Sequence, residues 1–554
     1  MSDSNADLII VNGKLLIADG TASALAISGG TIVAVGSDAE MDGLRGSRTQ
    51  VIDAEGNSVL PGFIESHVHL FSGGAELDLL NLMDCHCQDQ FNQLARKYSG
   101  ENPNSAMLLA IGADYQMLGH NITRHDLDQA LPDRPFAIMA MDHHTVWANT
   151  KALELVGIKH GAPVTFGSQI TLDSDGVATG ELLESGAFEY ILAKTPLGGR
   201  DALGLVTGAD PVPPATFEQR AADKAALRAG LNHLAKNGIT TFHNMDGNFY
   251  QLELLSELEA DGDLLCRGQI PFHLKNFDPI DRLAEADEMR QRYNSDWLWS
   301  NRLKLFHDGV IESGTAAMLE PYPNWPDSTG LPLFEPEQFN EICVRADAMG
   351  LQISVHAIGD AAVRGTLDGY EAARDANGLR DSRHRVEHIE VMHPDDLPRI
   401  AGLDVIASMQ PLHSPAGGLL PLMEDGEILH DHQKPMAFPW KAVRDSGAKL
   451  IFSSDWPVVP VDVMPGVAGA VSPIDLGGNW ADNSQGLIET LESYTSGGAY
   501  AEFNEARKGR LVSGMMADVV IMSDDLVAMA PDQLGTAKPV TTICGGRVTY
   551  EARK

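Results

Sequence analysis

Six side chains suited to metal or proton chemistry stand at the ends of apolar runs: His67, His69, Lys304, His356, His388 and Asp455. The first two arrive as a pair, in Val59-Leu60-Pro61-Gly62-Phe63-Ile64-Glu65-Ser66-His67-Val68-His69. In an extended strand, residues i and i+2 point to the same side. His67 and His69 therefore aim two imidazoles at one point, while Val68 packs on the other side. Two neutral imidazoles converging at a strand end are half of a site for a divalent metal such as zinc. Among 19 histidines one such pair carries little weight alone. The other half of the site has to come from elsewhere in the chain.

The elements that would supply it recur from residue 217 onward. Helix 217–236 leads to the apolar run 238–243, helix 250–260 to 266–272, and helix 279–293 to 303–309. Helix 336–349 leads to 351–356, helix 360–376 to 385–390, helix 394–401 to 405–410, and helix 440–446 to 449–455. With the opening stretch these runs make eight strands, the count of a (β/α)8 barrel of the TIM type, in which catalytic groups gather at the C-terminal strand ends. Strand one then contributes His67 and His69, strand four Lys304, strand five His356, strand six His388 and strand eight Asp455. One mouth thus collects four histidines, one lysine and one aspartate.

The rest of the chain reads differently. Residues 7–58 are short apolar runs broken by turn signals such as Asn12-Gly13 and Gly29-Gly30, and the style returns at 517–550. Neither piece offers much core alone, so the two are expected to pack as one small β-sandwich, residues 1–58 with 505–554. The barrel is then 59–504. Its stretch from about 70 to 237 lacks the regular alternation, carrying helical segments such as 187–192 and Gly/Pro-rich loops such as 197–214. It reads as an insertion after strand one that shapes the pocket. The fold class is α/β.

Composition bounds the function. Hydrophobic residues are 44% and charged residues 21%, as in a protein with a large core. The 40 Lys and Arg stand against 77 Asp and Glu, a net charge of −37. That balance argues against nucleic acid or an anionic membrane as partner and reads as a solvated acidic surface. No apolar run reaches the roughly 18–20 residues of a membrane span. The start, residues 1–7, lacks the basic and apolar segments of a signal peptide, so a cytoplasmic enzyme is expected. Five scattered cysteines do not form a disulfide framework.

The motifs together resemble the amidohydrolase superfamily of metal-dependent hydrolases, and within it the YtcJ-like or amidohydrolase-3 subgroup, which includes an N-substituted formamide deformylase. The resemblance spans the whole chain. It rests on the opening stretch, on His144-Thr145-Val146-Trp147-Ala148-Asn149, and on Lys304-Leu305-Phe306-His307-Asp308-Gly309 followed by Glu320-Pro321-Tyr322. It continues in His356-Ala357-Ile358-Gly359-Asp360, Arg385-Val386-Glu387-His388, Gln410-Pro411 with His413, Ser454-Asp455-Trp456-Pro457-Val458, and Gly514-Met515-Met516-Ala517-Asp518. Three positions depart from the pattern: Glu65 stands where Asp is usual, Ser453 where Gly is common, and His243 where an Asp often ends strand two.

The resemblance implies that His67, His69 and Asp455 hold one metal and His356 and His388 a second, with Lys304 bridging them as a carbamate. Zinc is expected, with manganese or iron as alternatives. An unmodified Lys304 in an ion pair, and a site with one metal, are the other readings. Water at such a metal ionises near neutral pH and attacks a substrate carbonyl as hydroxide. Asp455 then takes the water's proton and returns it to the leaving amine. His144, Trp147, Asn149, Tyr322 and His413 are the expected substrate contacts. The expected substrate is a small non-peptide amide: N-acyl, N-formyl or cyclic. A heterocycle deaminase, a lactone or ester hydrolase, and more distantly a non-catalytic binding protein are the alternatives. The sequence leaves the oligomeric state open, with a homodimer as one assembly the resemblance allows.

Overall fold

Parallel strands that carry the six residues follow one another around a closed barrel in the computed structural model, which describes residues 5–16, 21–417 and 428–552. Residues 1–4 of the polar start, and 553–554 at the other end, lie outside the described residues. The barrel strands are β1 (Phe63–Val68), β2 (Ile239–Asn244), β3 (Arg267–Gln269, resuming at Phe272–His273), β4 (Leu298–Trp299, resuming at Arg302–Phe306), β5 (Gln352–Ala357), β6 (Arg385–His388), β7 (Ile406–Met409) and β8 (Lys449–Phe452). Each pairs in parallel with the next. The break in β3 falls at Ile270-Pro271, where proline lacks the N–H a ladder needs. Beyond β8 the chain returns to β1: the Asp455 N–H donates to the His67 carbonyl at 2.9 Å and the His69 N–H to the Trp456 carbonyl at 2.8 Å. Those two bonds close the ring.

β1, β2, β5 and β6 are buried along their whole length because helices cover their outer faces, the arrangement parallel sheets require. The helices start where the sequence predicts. Phe217–Lys236 is entered through a Thr216–Gln219 capping box, and Pro336–Ala348 begins on its proline. Leu70–Glu76, directly after β1, crosses Phe217–Lys236 at close range: a Cβ on Gly74 would lie 2.2 Å from the Ala226 carbonyl oxygen, so only glycine fits.

Residues 77–216 intervene between those two helices. They carry their own mixed sheet, in the order Gln169–Leu172, Ala178–Leu183, Thr145–Ala148, Phe136–Ala140, Leu108–Ala113 and Leu80–Asn81. The sequence pattern predicts helices and loops here. The strands are short and mostly apolar throughout, which hides the period of two.

The chain ends form two more sheets. One contains Thr31–Gly36, Ala24–Ser28, Leu8–Val11 and Gln50–Asp53. In the other, Val519–Met522 from the C-terminal end lies antiparallel to Ser58–Pro61, with Val520 opposite Leu60. Leu8, Ile10 and Ile27 share one apolar cluster with Val519, Ile521 and Ile543. Ser58–Pro61 runs into β1 through Gly62, so these sheets anchor the strand that carries His67. No helix among the described residues is long and apolar enough to cross a membrane.

A buried ion pair ties the end sheets to the barrel. Arg267 of β3 donates to both carboxylate oxygens of Asp518, at 3.0 and 3.2 Å, and lies over the Trp297 ring. Both side chains are 4% exposed. Removing one partner strands the other charge in the interior, at a cost of about 3–5 kcal/mol. Asp518→Ala should therefore lower the thermal unfolding midpoint by several degrees while metal content per folded chain stays at the wild-type level. An unchanged midpoint would show that the pair does not hold the two parts together.

Candidate metal centre

The end of β1 delivers both imidazoles to one carboxylate. His67 Nε2 lies 3.2 Å and His69 Nε2 3.3 Å from Asp455 Oδ1. The other ring nitrogens are committed elsewhere. His67 Nδ1 is 2.9 Å from Glu387 Oε2, and His69 Nδ1 is 2.9 Å from Asp246 Oδ1. A ring that donates from Nδ1 to a carboxylate presents its Nε2 lone pair inward, the state a metal needs.

The same logic holds across the mouth. His388 donates Nδ1–H to Gln410 Oε1 at 3.0 Å, and Gln410 is fixed in turn by its amide donating to Ser453 Oγ at 2.9 Å. His388 Nε2 is buried and has no hydrogen-bond partner. His356 donates Nε2–H to the Gly309 carbonyl at 3.0 Å, which leaves Nδ1 as its ligating nitrogen. Its ring stands 4.5 Å from that of His388, centre to centre. Lys304 is fully buried on β4, its Nζ without a hydrogen-bond partner and 4.4 Å from the centre of the Phe306 ring.

Two groups of ligand atoms converge among the described residues: His67, His69 and Asp455, and His388, His413 and Asp455. His356 stands beside the second group rather than within it, and His413 takes the nearer place. Asp455 Oδ1 and the Nε2 atoms of His388 and His413 are buried without hydrogen-bond partners. Unsatisfied polar atoms are costly in an interior. Here they share one place and have the donor chemistry of a divalent-metal site, which fits the expected group.

The electrostatics follow from burial and crowding. Burial pushes the Lys304 ammonium down to about 8, favouring a neutral amine. Burial works against the Asp455 carboxylate, but His67, His69 and His388 outweigh it and hold the carboxyl well below its ordinary range. Burial disfavours charge on His69 too, yet its bonds to Asp246 and Asp455 raise it to about 9. Two site residues also occupy left-handed backbone: His388 at φ 77° and Asp455 at φ 63°. Each such conformation costs a non-glycine residue on the order of 1–3 kcal/mol and is kept only where surrounding structure enforces it.

The three departures from the family pattern have physical roles. Glu65 is completely buried and reaches the Ser454 N–H at 2.8 Å; burial raises its carboxyl to about 8. Ser453 fixes Gln410, as above. His243 sits inside the barrel, accepting from Arg385 Nη1 at 3.1 Å and lying 2.9 Å from Glu502.

A cavity of about 2280 Å³ opens over the site, lined by His67, His69, His356, His388 and Asp455 and, from the insertion, by His144. His413 lines it too. Trp147, Asn149 and Tyr322 do not. Trp147 is 2% exposed and packs edge-on against Tyr115 inside the insertion sheet, because its strand turns that face to the core. Asn149 caps helix Thr150–Val156 through the Ala152 N–H and donates to the Leu131 and Arg134 carbonyls, which uses its amide fully. Tyr322 is 1% exposed and donates to the Ala316 carbonyl. Two further residues, Glu387 and Asp246, serve the site without a sequence pattern that singles them out. Glu387 neighbours His388 and Asp246 follows β2, but nothing local says which distant ring each one meets.

The Amidohydro_3 model, described as an amidohydrolase family, matches residues 50–550. The chain belongs to the amidohydrolase family. As such it is a hydrolase of the amidohydrolase class. This amidohydrolase is 28% identical to the putative amidohydrolase YtcJ of Bacillus subtilis, over 95% of this chain and 96% of that protein. It is 25% identical to the N-substituted formamide deformylase of Arthrobacter pascens, over 98% of each. Its fold is that of a metal-dependent hydrolase from Pyrococcus horikoshii OT3, with a TM-score of 0.69, 23% identity, and coverage of 95% of this chain and 98% of that one.

The carboxylates behind the histidines should matter as much as distance suggests. Loss of such a partner weakens metal binding by about 10–100-fold. Asp246→Ala is expected to weaken zinc affinity by that factor in a chelator competition, with the fold intact by circular dichroism. Unchanged affinity would mean that His69 is not held through Asp246.

Proposed function

We propose that this amidohydrolase hydrolyses a small non-peptide amide, an N-acyl, N-formyl or cyclic amide, at a binuclear zinc site. The observation that carries the proposal is the cluster of four imidazoles, each held at one nitrogen by a protein acceptor, with the other nitrogens of His67 and His69 against Asp455 and the rings of His388 and His356 packed beside them. His67, His69 and Asp455 hold one metal. His356 and His388 would hold the second, together with Lys304 as a carbamate formed with CO2 and loss of a proton; its buried, unpartnered and easily neutralised amine is suited to that modification. A divalent metal held there supplies Lewis acidity toward a carbonyl oxygen and a water.

The chain's own residues do the rest. Asp455, kept ionised by the imidazoles, accepts a proton from the attacking water at its Oδ and delivers it to the leaving nitrogen, so the amine departs neutral. His413 stands with Nε2 4.0 Å from Asp455 Oδ2 and Nδ1 3.4 Å from Glu390, and contacts the substrate beside the proton carrier. His144 contacts it from the insertion. The apolar wall, with Met107, Leu109, Met139 and Phe188, takes an apolar substituent of the substrate. The sheets built from the chain ends act as a supporting β-sandwich, and residues 70–237 as the insertion that completes the pocket. We place the enzyme in the cytoplasm, as a homodimer acting on free small molecules rather than on nucleic acid or membranes.

The direct test screens N-acyl and N-formyl amines for released amine, before and after chelation. Activity should vanish with the chelator and return with zinc or manganese. Asp455→Asn should lower kcat by about 10²–10⁴-fold, the worth of a positioned acid–base group. Full activity in the metal-free protein would refute the proposal. Release of ammonia from a heterocycle, with no amide turned over, would establish a deaminase instead.

A further inference from the structure

Glu184 is placed against its local interests. It lies between strand Ala178–Leu183 and helix Ser185–Leu192, at φ 64° and ψ 162°. That region of backbone is populated almost only by glycine. As the residue preceding a helix it could turn its carboxylate onto the first free N–H groups, yet it makes no such bond. Its oxygens point the other way. Oε2 lies 2.9 Å from His144 Nδ1, and Oε1 accepts from Thr315 Oγ1 at 3.1 Å. The backbone agrees, since the Glu184 N–H donates to the His144 carbonyl at 2.8 Å.

These contacts join two parts of the molecule. His144 precedes strand Thr145–Ala148 of the insertion, which pairs with Ala178–Leu183. Thr315 belongs to the loop after β4, on the barrel. His144 lines the cavity, and its ring stands 5.7 Å from that of His356. The residue before it, His143, is also in left-handed backbone, at φ 63°. Strain thus falls on both sides of the His144–Glu184 contact.

We propose that Glu184 is a positioning residue, which clamps the insertion to the barrel loop and so fixes the His144 imidazole as a substrate contact beside His356. The inference rests on the amide-hydrolase reading for its kinetic part only. A carboxylate at this position serves the site and costs the local backbone, so activity and stability part company on substitution. Alanine removes the carboxylate and keeps the strain; glycine removes both.

The experiment compares Glu184→Ala, Glu184→Gly and His144→Asn in the zinc-loaded enzyme. Both Glu184 variants are expected to lose at least ~10-fold in kcat/KM, as misplaced contacts do, while Glu184→Gly melts above Glu184→Ala. Adding His144→Asn to Glu184→Ala should bring little further loss, because the two residues act as one unit. Activity that follows the melting temperature, or full additivity, would overturn the proposal and leave Glu184 a structural residue. Crystal structures of the Glu184 variants decide the point without turnover. A His144 ring displaced from His356 supports the inference, and a ring in its wild-type place refutes it even if no amide proves to be a substrate.

Discussion

Closure of the barrel is the constraint on which everything else depends. The backbone bonds from Asp455 to His67 and from His69 to Trp456 join the last strand to the first. The same step sets the Asp455 carboxylate against both His67 and His69. A barrel that closed one residue out of register would turn the alternating side chains to the other face and separate the carboxylate from the histidines. Fold and site are therefore not independent achievements of this sequence.

Around that seam the structure resolves a conflict of charges. Asp455, Glu387 and Asp246 are buried carboxylates among imidazoles that burial would keep neutral. Glu387 and Asp246 each hold one imidazole by its outer nitrogen, and the other nitrogen is thereby turned inward to Asp455. Across the mouth, His388 Nε2, His413 Nε2 and Lys304 Nζ are buried without hydrogen-bond partners. Left-handed backbone at His388 and Asp455 adds to the cost. That gathering of unpartnered ligand atoms around Asp455, in an interior where other charges such as Arg267 and Asp518 pair with each other, is the chemistry of a place where a divalent metal would sit.

Much of this is legible in the sequence, for identifiable reasons. The barrel helices have caps and a period, so Phe217–Lys236 can be read at its observed ends. The six site residues end apolar runs, and strand order places them on one mouth. What the sequence hides depends on contacts between distant positions. Asp246 and Glu387 meet rings 177 and 320 residues away, and no local pattern records that. The insertion sheet is hidden because its strands are short and most are apolar throughout. Trp147, Asn149 and Tyr322 look like pocket residues by type, but each finds its partners within its own neighbourhood: an aromatic edge, a helix start and a loop carbonyl. His413 and His144 do reach the cavity, because the loops after β7 and before Thr145–Ala148 lean over the mouth.

That these inward-facing atoms form a metal centre is best tested by an anomalous-scattering map at the zinc edge, from crystals of the zinc-loaded protein. A strong peak is expected within bonding distance of His67 Nε2, His69 Nε2 and an Asp455 oxygen. A second peak is expected between His356 Nδ1 and His388 Nε2, with density extending beyond Lys304 Nζ toward both metals. A map with no peak at Asp455, or with zinc only at surface histidines, would contradict the metal centre.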